Sequence, residues 1–389
     1  MKLTSLLIPA VAVCVASAFA ADTSPSATAL YLKNPAKGDP SLKSVGPLAF
    51  AKSGLLLIAE PSATSIVAVD TGDIGPVAAL AKPVEDTAAL IAAALSTAPA
   101  QIQIVNMAVN PASGKTYFSV RNNAAKSVAI VVVDGKGAAK LLDLAACNHV
   151  RVTLPAADAK SIRNISHLAI AEKTLLVTGQ SNEEFSSKIF SIPVPLDAAA
   201  TGSIYSAETY HVSHGRWETK APIQSFIPYS DHGVPCVLGA FACTPLAKFP
   251  LKDLSSGANV RGTSVVELGS GNRPLDMFSY TTSKGSWVVV NTQRFKQPFF
   301  GPSKYWGVRV SLDLLGRNDP AETNEHAIRR NTKEGAKTSG IEVLDTLQGA
   351  AQIDKLSDSE MIVLRESGDK LRLEVCALPS DSIQVSLAR

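Results

Sequence analysis

Three of the six histidines, His211, His214 and His232, lie close together and near Cys236 and Cys243. Imidazole and thiolate bind Zn, Cu or Fe, and two histidines with a third donor from another loop suit a trigonal or tetrahedral site. A divalent metal is the cofactor that His211, His214 and His232 would hold. The spacing sets a condition. Residues three apart on a strand point to opposite faces, so His211 and His214 converge only where the chain turns, and Gly215 marks a turn. The alternative is that these are polar loop residues, hydrogen-bonded to backbone and packed beside Trp217.

A second constellation stands where strands begin. Gly271-Asn272-Arg273-Pro274-Leu275-Asp276 opens one apolar segment, and Asn106 with Asn110, and Arg163 with Asn164, occupy corresponding places in others. If those segments line a common axis, Arg273, Asp276, Asn106 and Arg163 face a ligand there. The competing role for them is inter-strand hydrogen bonding and ion pairing. Neither constellation defines a reaction. No G-x-S-x-G elbow, H-E-x-x-H pair or Walker-type loop is present, which leaves the ordinary hydrolase and nucleotide routes without support. Cys-x-x-Cys-His is absent too, so haem attachment is unsupported.

The elements that position these residues recur along the chain. A unit of short apolar strand, turn, β-branched strand, polar turn and third strand appears at Gly46–Asp70, again at Met107–Gly135, and again at Leu168–Ile192. Weaker copies run Ile223–Phe249, Leu275–Val310 and Ile353–Val375. Their first strands, anchored at Leu48, Met107, Leu168, Phe226, Leu275 and Ile353, are spaced by 59, 61, 58, 49 and 78 residues. One such unit alone leaves an apolar sheet face bare, so the units must stack and close into a ring. The expectation is an all-β fold, a β-propeller of six or seven blades with three to four strands each, forming one domain over 42–389. First strands would then meet at the axis. Ala78–Ala98, rich in Ala and Leu, reads as a helix on a connection, and the charged insert Arg317–Lys337 as a solvated loop.

At the start of the chain, Lys2, the apolar stretch Leu6–Val15 and Ala18-Phe19-Ala20 read as a cleavable signal peptide over 1–20. Residues 21–41 follow as a linker or N-terminal arm. The expected location is periplasmic or secreted, with no transmembrane segment, since no later stretch approaches the ~18–20 apolar residues of a spanning helix. Removing Cys14 leaves Cys147, Cys236, Cys243 and Cys376, whose pairing is open. A Cys236–Cys243 bridge is not expected if they share one strand, because seven steps at ~3.3 Å hold them on the order of 20 Å apart. Only a turn at Gly239 would bring them together. Hydrophobic residues make up 46% of the chain and charged residues 18%, which excludes wholesale disorder. The net charge of +3 excludes a phosphate-neutralising surface, so no nucleic-acid partner is expected.

The phrases Leu48–Asp70 and Leu168–Ile192 resemble the repeats of exported bacterial propellers, the group that includes amine dehydrogenase heavy chains and YVTN-type repeat proteins. Between Tyr210 and Leu254, the runs Tyr210-His211-Val212-Ser213-His214, Glu218-Thr219, Ala221-Pro222-Ile223 and Ala242-Cys243-Thr244-Pro245-Leu246 are similar to phrases of an uncharacterised family of secreted bacterial propellers. The resemblance implies the fold and implies no activity, since propellers host enzymes, binding modules and scaffolds alike. The functional expectation is an exported propeller that binds a protein partner or a small-molecule ligand. The alternative is a metal-dependent redox or lactone-hydrolysing propeller enzyme.

Overall fold

The computed structural model describes residues 25–155, 162–212, 214–242, 245–254, 257–269, 271–295, 302–316, 328–329 and 338–380. The leader, Cys243 and nearly all of the charged insert lie outside the described residues. Strands dominate, and they arrange as a β-propeller with six blades among the described residues. Blade 1 uses Leu48–Phe50, Leu55–Glu60 and Ser65–Asp70. Blade 2 follows with Ile102–Val109, Thr116–Asn122, Ser127–Val133 and Ala139–Leu141. Blade 3 is Ile162–Ala171, Thr174–Ser181, Ser187–Pro193 and Ser203–His211. Blade 4 is Ile223–Asp231, Val234–Phe241, Pro245–Pro250 and Asn259–Glu267. Blade 5 is Asn272–Thr282, Gly285–Arg294, Tyr305–Ser311 and Ile341–Val343. Blade 6 is Ala350–Lys355, Glu360–Ser367 and Lys370–Ala377.

All six expected anchors fall on innermost strands. The second strands are the driest because a sheet covers each of their faces, and every residue of Leu55–Glu60 is buried. That double burial explains why they read as unbroken apolar runs rather than as alternating ones.

Among the described residues the core comprises six apolar clusters, each sandwiched between two neighbouring blades. Leu176, Phe226 and Phe249 pack between blades 3 and 4. Met277, Val290 and Leu246 pack between blades 4 and 5, and Val289, Met361 and Val363 between 5 and 6. The two remaining junctions of blade 1 depart from simple chain order. Blade 1 packs on blade 3 through Leu57, Leu168 and Val177, and on blade 2 through Ile58, Tyr117 and Ile130. Blade 2 in turn meets blade 6 through Val120, Ile362 and Leu373. The spatial order is therefore 2-1-3-4-5-6, and the ring closes between blades 6 and 2.

The chain makes this order by doubling back. After blade 2 it returns as Asn148–Thr153 and adds an antiparallel outer strand to Ser65–Asp70 of blade 1. Glu60, fully buried, is ion-paired there with Arg151 and accepts the Lys43 N–H at 2.6 Å. The short helix Thr87–Ala94, capped by the Asp86 carboxylate, sits on the connection from blade 1 to blade 2 and buries Ile91 at the 2–6 junction. The segment after residue 25 is docked: a helical turn, Ala27–Tyr31, buries Ala27 between blades 1 and 3, and Ala36–Lys37 pairs with His149 and Asn148. No helix of the described residues is long and apolar enough to cross a membrane.

Outer strands are also joined. Ser206–Thr209 of blade 3 pairs in parallel with Asn259–Gly262 of blade 4, which covers two sheet edges that would otherwise lie bare. Gly262 lies on this seam because a side chain there would overlap the ring of Phe249.

Candidate functional site

The axis of the ring is built by a repeated local device. In blades 2 to 6 the inner strand carries a bulge, and a polar residue stands at it directly before a buried apolar one: Asn106-Met107, His167-Leu168, Ser225-Phe226, Asp276-Met277 and Gln352-Ile353. A bulge re-aims its side chain, here toward the neighbouring blade. Asn106 Oδ1 accepts the Leu48 N–H at 2.8 Å, His167 Nδ1 accepts that of Phe226 at 3.4 Å, and Asp276 Oδ2 accepts that of Ile353 at 3.1 Å. Asp354 Oδ2, two residues further along blade 6, accepts the Val109 N–H at 2.6 Å. Each acceptor reaches the next blade in the same rotational sense.

These groups are tuned by their surroundings. Burial pushes the Asp276 carboxyl up to about 7, with the nearby Asp354 charge adding to it against the pull of the Ile353 N–H. Burial likewise lifts Asp354 to about 6. For His167 burial acts in the opposite direction and takes the imidazole down to about 4, leaving it neutral and able to accept.

Two cavities share this wall. At the end where inner strands begin, a cavity of about 300 Å³ is lined from all six blades, chiefly by Asn106, Arg121, Asn164, Gln224, Arg273 and Gln352, with Asp276 at its floor. At the other end a cavity of about 350 Å³ is lined by Phe50, Met107, His167, Asp276 and Asp354. The first holds the cations. Arg273 Nε donates to Gln224 Oε1 at 2.7 Å, and Arg121 makes only long contacts to Gln103 and Val45 at 3.4 Å. Neither guanidinium meets a carboxylate among the described residues.

Of the residues expected at the axis, Asn106, Asn164, Arg273 and Asp276 converge on that mouth, while Arg163 is exposed and does not line it. Asn110 points elsewhere: its amide donates to the Asp73 backbone and carboxylate at 2.7 and 3.1 Å. Asp73 also accepts from Ser113, Lys115 and Tyr117, and these donors hold it below the usual carboxylate range although burial opposes them. This fully satisfied pin explains the polar wall of a larger cavity of about 560 Å³ between blades 1 and 2. Arg121, Gln224, Gln352, His167 and Asp354 were not singled out by sequence. For His167 and Gln352 the available signal was a polar residue immediately before the first-strand anchors Leu168 and Ile353; Arg121, Gln224 and Asp354 carry no such mark.

The histidines divide. His211 ends the outer strand of blade 3, and the chain then pairs back as Arg216–Glu218, so that His211 and His214 face each other with ring centroids 4.0 Å apart. His214 Nδ1 lies 2.6 Å from Glu218 Oε1. Burial outweighs the opposing Glu267 charge and holds the His211 imidazole below its usual value. This group sits on the rim at the end of the ring that carries Arg273. His232 occupies the first hairpin of blade 4, at the opposite end, where its Nε2 approaches the Gly316 carbonyl at 3.3 Å. The third donor beside His211 and His214 is Glu218. Cys147 and Cys236 are buried free thiols, and Cys376 is a partly buried one.

No protein-family model and no curated protein sequence matches the chain. Among solved structures, a chain of a mitotic checkpoint complex aligns over 98% of this chain and 99% of its own at 8% identity and TM-score 0.33. A putative oxidoreductase (glucose dehydrogenase) from Thermus thermophilus aligns over 89% and 100% at 14% identity and TM-score 0.32. A streptogramin B lyase aligns over 90% and 98% at 11% identity and TM-score 0.24. At these values the likeness transfers no activity; the fold rests on the strand order and the six inter-blade cores described above.

Proposed function

We propose that the protein is exported, through the signal peptide read at 1–20, and that its propeller binds a small anionic ligand at the axial mouth where the inner strands begin. The observation that carries this reading is the pair Arg121 and Arg273, from blades 2 and 5, on one cavity, neither ion-paired with a carboxylate among the described residues. Guanidinium presents a planar fork of donors suited to carboxylate or phosphate. Asn106, Asn164, Gln224 and Gln352 supply neutral hydrogen-bonding groups around it, enough to orient a ligand of a few carbons. A channel closed by six rigid blades also places these groups in advance, which lowers the ordering cost of binding.

The test is calorimetric titration of the mature protein with a panel of dicarboxylates, sugar acids and sugar phosphates, repeated on Arg121→Ala and Arg273→Ala. An anion from the panel should bind, and each substitution should weaken it roughly tenfold or more, the scale of one charge-assisted hydrogen bond. Equal binding by wild type and both variants would refute the site. Terminal sequencing of protein recovered from the periplasm or medium should begin at Ala21.

A further inference from the structure

The histidine hairpin on the rim does not take part in the axial site, and its geometry asks for a separate explanation. His211, His214 and Glu218 each bring a donor atom within 4.8 Å of the other two. All three come from one short hairpin, Ser203–His211 paired with Arg216–Glu218, in which His211 stands opposite Arg216 and Thr209 opposite Glu218. Among the described residues no other three His, Cys, Asp or Glu side chains converge in this way.

A second observation is independent of that clustering. The His211 side chain is only 4% exposed, and its buried Nε2 has no hydrogen-bond partner, the nearest carboxylate oxygen, Glu267 Oε1, being 3.7 Å away. A buried polar atom left unpaired costs about 1–3 kcal/mol, so such atoms in native proteins call for an explanation. The turn that sets it is itself held, because the Val212 N–H donates to Glu267 Oε1 at 2.7 Å.

We infer that His211, His214 and Glu218 bind a divalent transition-metal ion of the Zn²⁺ class on the seam of blades 3 and 4. Two imidazoles and one carboxylate match the donor preference of Zn²⁺ and its neighbours, and they are poorly suited to Ca²⁺ or Mg²⁺, which take oxygen ligands. Donors around a tetrahedral ion at ~2.0–2.1 Å stand closer together than 4.8 Å, a gap that rotation of the half-exposed His214 closes. The ion replaces the His214–Glu218 hydrogen bond and displaces Arg216, which lies 3.3 Å from Glu218 but is mostly exposed and free to swing into solvent. Three protein donors leave one position for water on the exposed side.

The experiment uses the tag-free mature protein, stripped with a chelator and titrated with Zn²⁺ against a chromophoric competitor, with Co²⁺ as a spectroscopic probe. The expected result is one Zn²⁺ per chain, with His214→Ala and Glu218→Gln each weakening it at least tenfold. The Co²⁺ complex should show the intense visible bands of low coordination, and these should vanish in His214→Ala. The His214 side chain is exposed and that of Glu218 partly buried, and an unchanged thermal transition in the metal-free variants checks that they fold. Equal Zn²⁺ affinity in wild type and His214→Ala, or no stoichiometric binding by wild type, would overturn the inference without touching the axial anion site.

Discussion

Asp276 is the most informative residue to perturb, because the structure assigns it a cost as well as a bond. Its carboxyl ordinarily titrates near 3.8 and is raised to about 7 in the fold, chiefly by burial. Between those values the native state binds a proton that the unfolded chain has released. The stability slope with pH is then negative, so this residue destabilises the protein increasingly as pH rises from about 4 to about 7. A shift of this size corresponds to about 4 kcal/mol if none of it is screened. The side chain still touches the channel, so the realised value should fall to about 2–4 kcal/mol. Asp276→Asn removes the charge and keeps a carbonyl oxygen for the Ile353 N–H. Urea unfolding at pH 5 and pH 8 should show the wild type losing stability between the two, and the Asn variant losing about 1–2.5 kcal/mol less, since about two of the three shifted pH units lie inside that window. Asp354→Asn added to it should flatten the profile further, because Asp354 is raised to about 6 for the same reason. Parallel pH profiles for wild type and Asp276→Asn would refute the argument that the channel wall buries an ionisable carboxylate.

Two further outcomes test the fold itself. Arg151→Met strands the fully buried Glu60 carboxylate without its cation and should cost about 3–5 kcal/mol by urea denaturation; a loss below about 1 kcal/mol would mean that the returning strand is not held by this pair. Gly262→Ala places a methyl group against the buried Phe249 ring and should lower stability by about 1–3 kcal/mol, whereas an unchanged midpoint would show that the blade 3–4 seam is looser than described.

Much of the ring was legible in the sequence because each blade must bury both faces of its middle strands, and that demand writes apolar runs at regular intervals. Leu48, Met107, Leu168, Phe226, Leu275 and Ile353 all lie on inner strands for this reason. The order of blades was not legible, because the contacts that place blade 1 between blades 2 and 3 are apolar and carry no address; Leu57 would pack as well on one neighbour as on another. The returning strand Asn148–Thr153 looks like any other short strand, and only its pairing with Ser65–Asp70 shows its blade. Arg273, Asp276 and Asn106 were readable as an axial set by their corresponding positions. Arg121 was not, since it comes from a second strand and reaches the mouth from the side. His211 and His214 were readable as a pair, but the third donor, Glu218, depends on a hairpin register that spacing does not fix.

The doubling back that completes blade 1 sets a timetable for the nascent chain. Ser65–Asp70 emerges about 80 residues before the strand that covers its edge. At synthesis rates of ~5–20 residues per second, that edge stands unpaired for roughly 4–16 s. An uncovered, apolar sheet edge of this kind is a template for pairing with another chain. Blades 3 to 6 carry no such delay, because the strands that finish each of them follow within the same stretch of chain. A chain halted shortly before residue 148 should therefore be a far more adhesive species than one halted after residue 153, although the two differ by a single short strand.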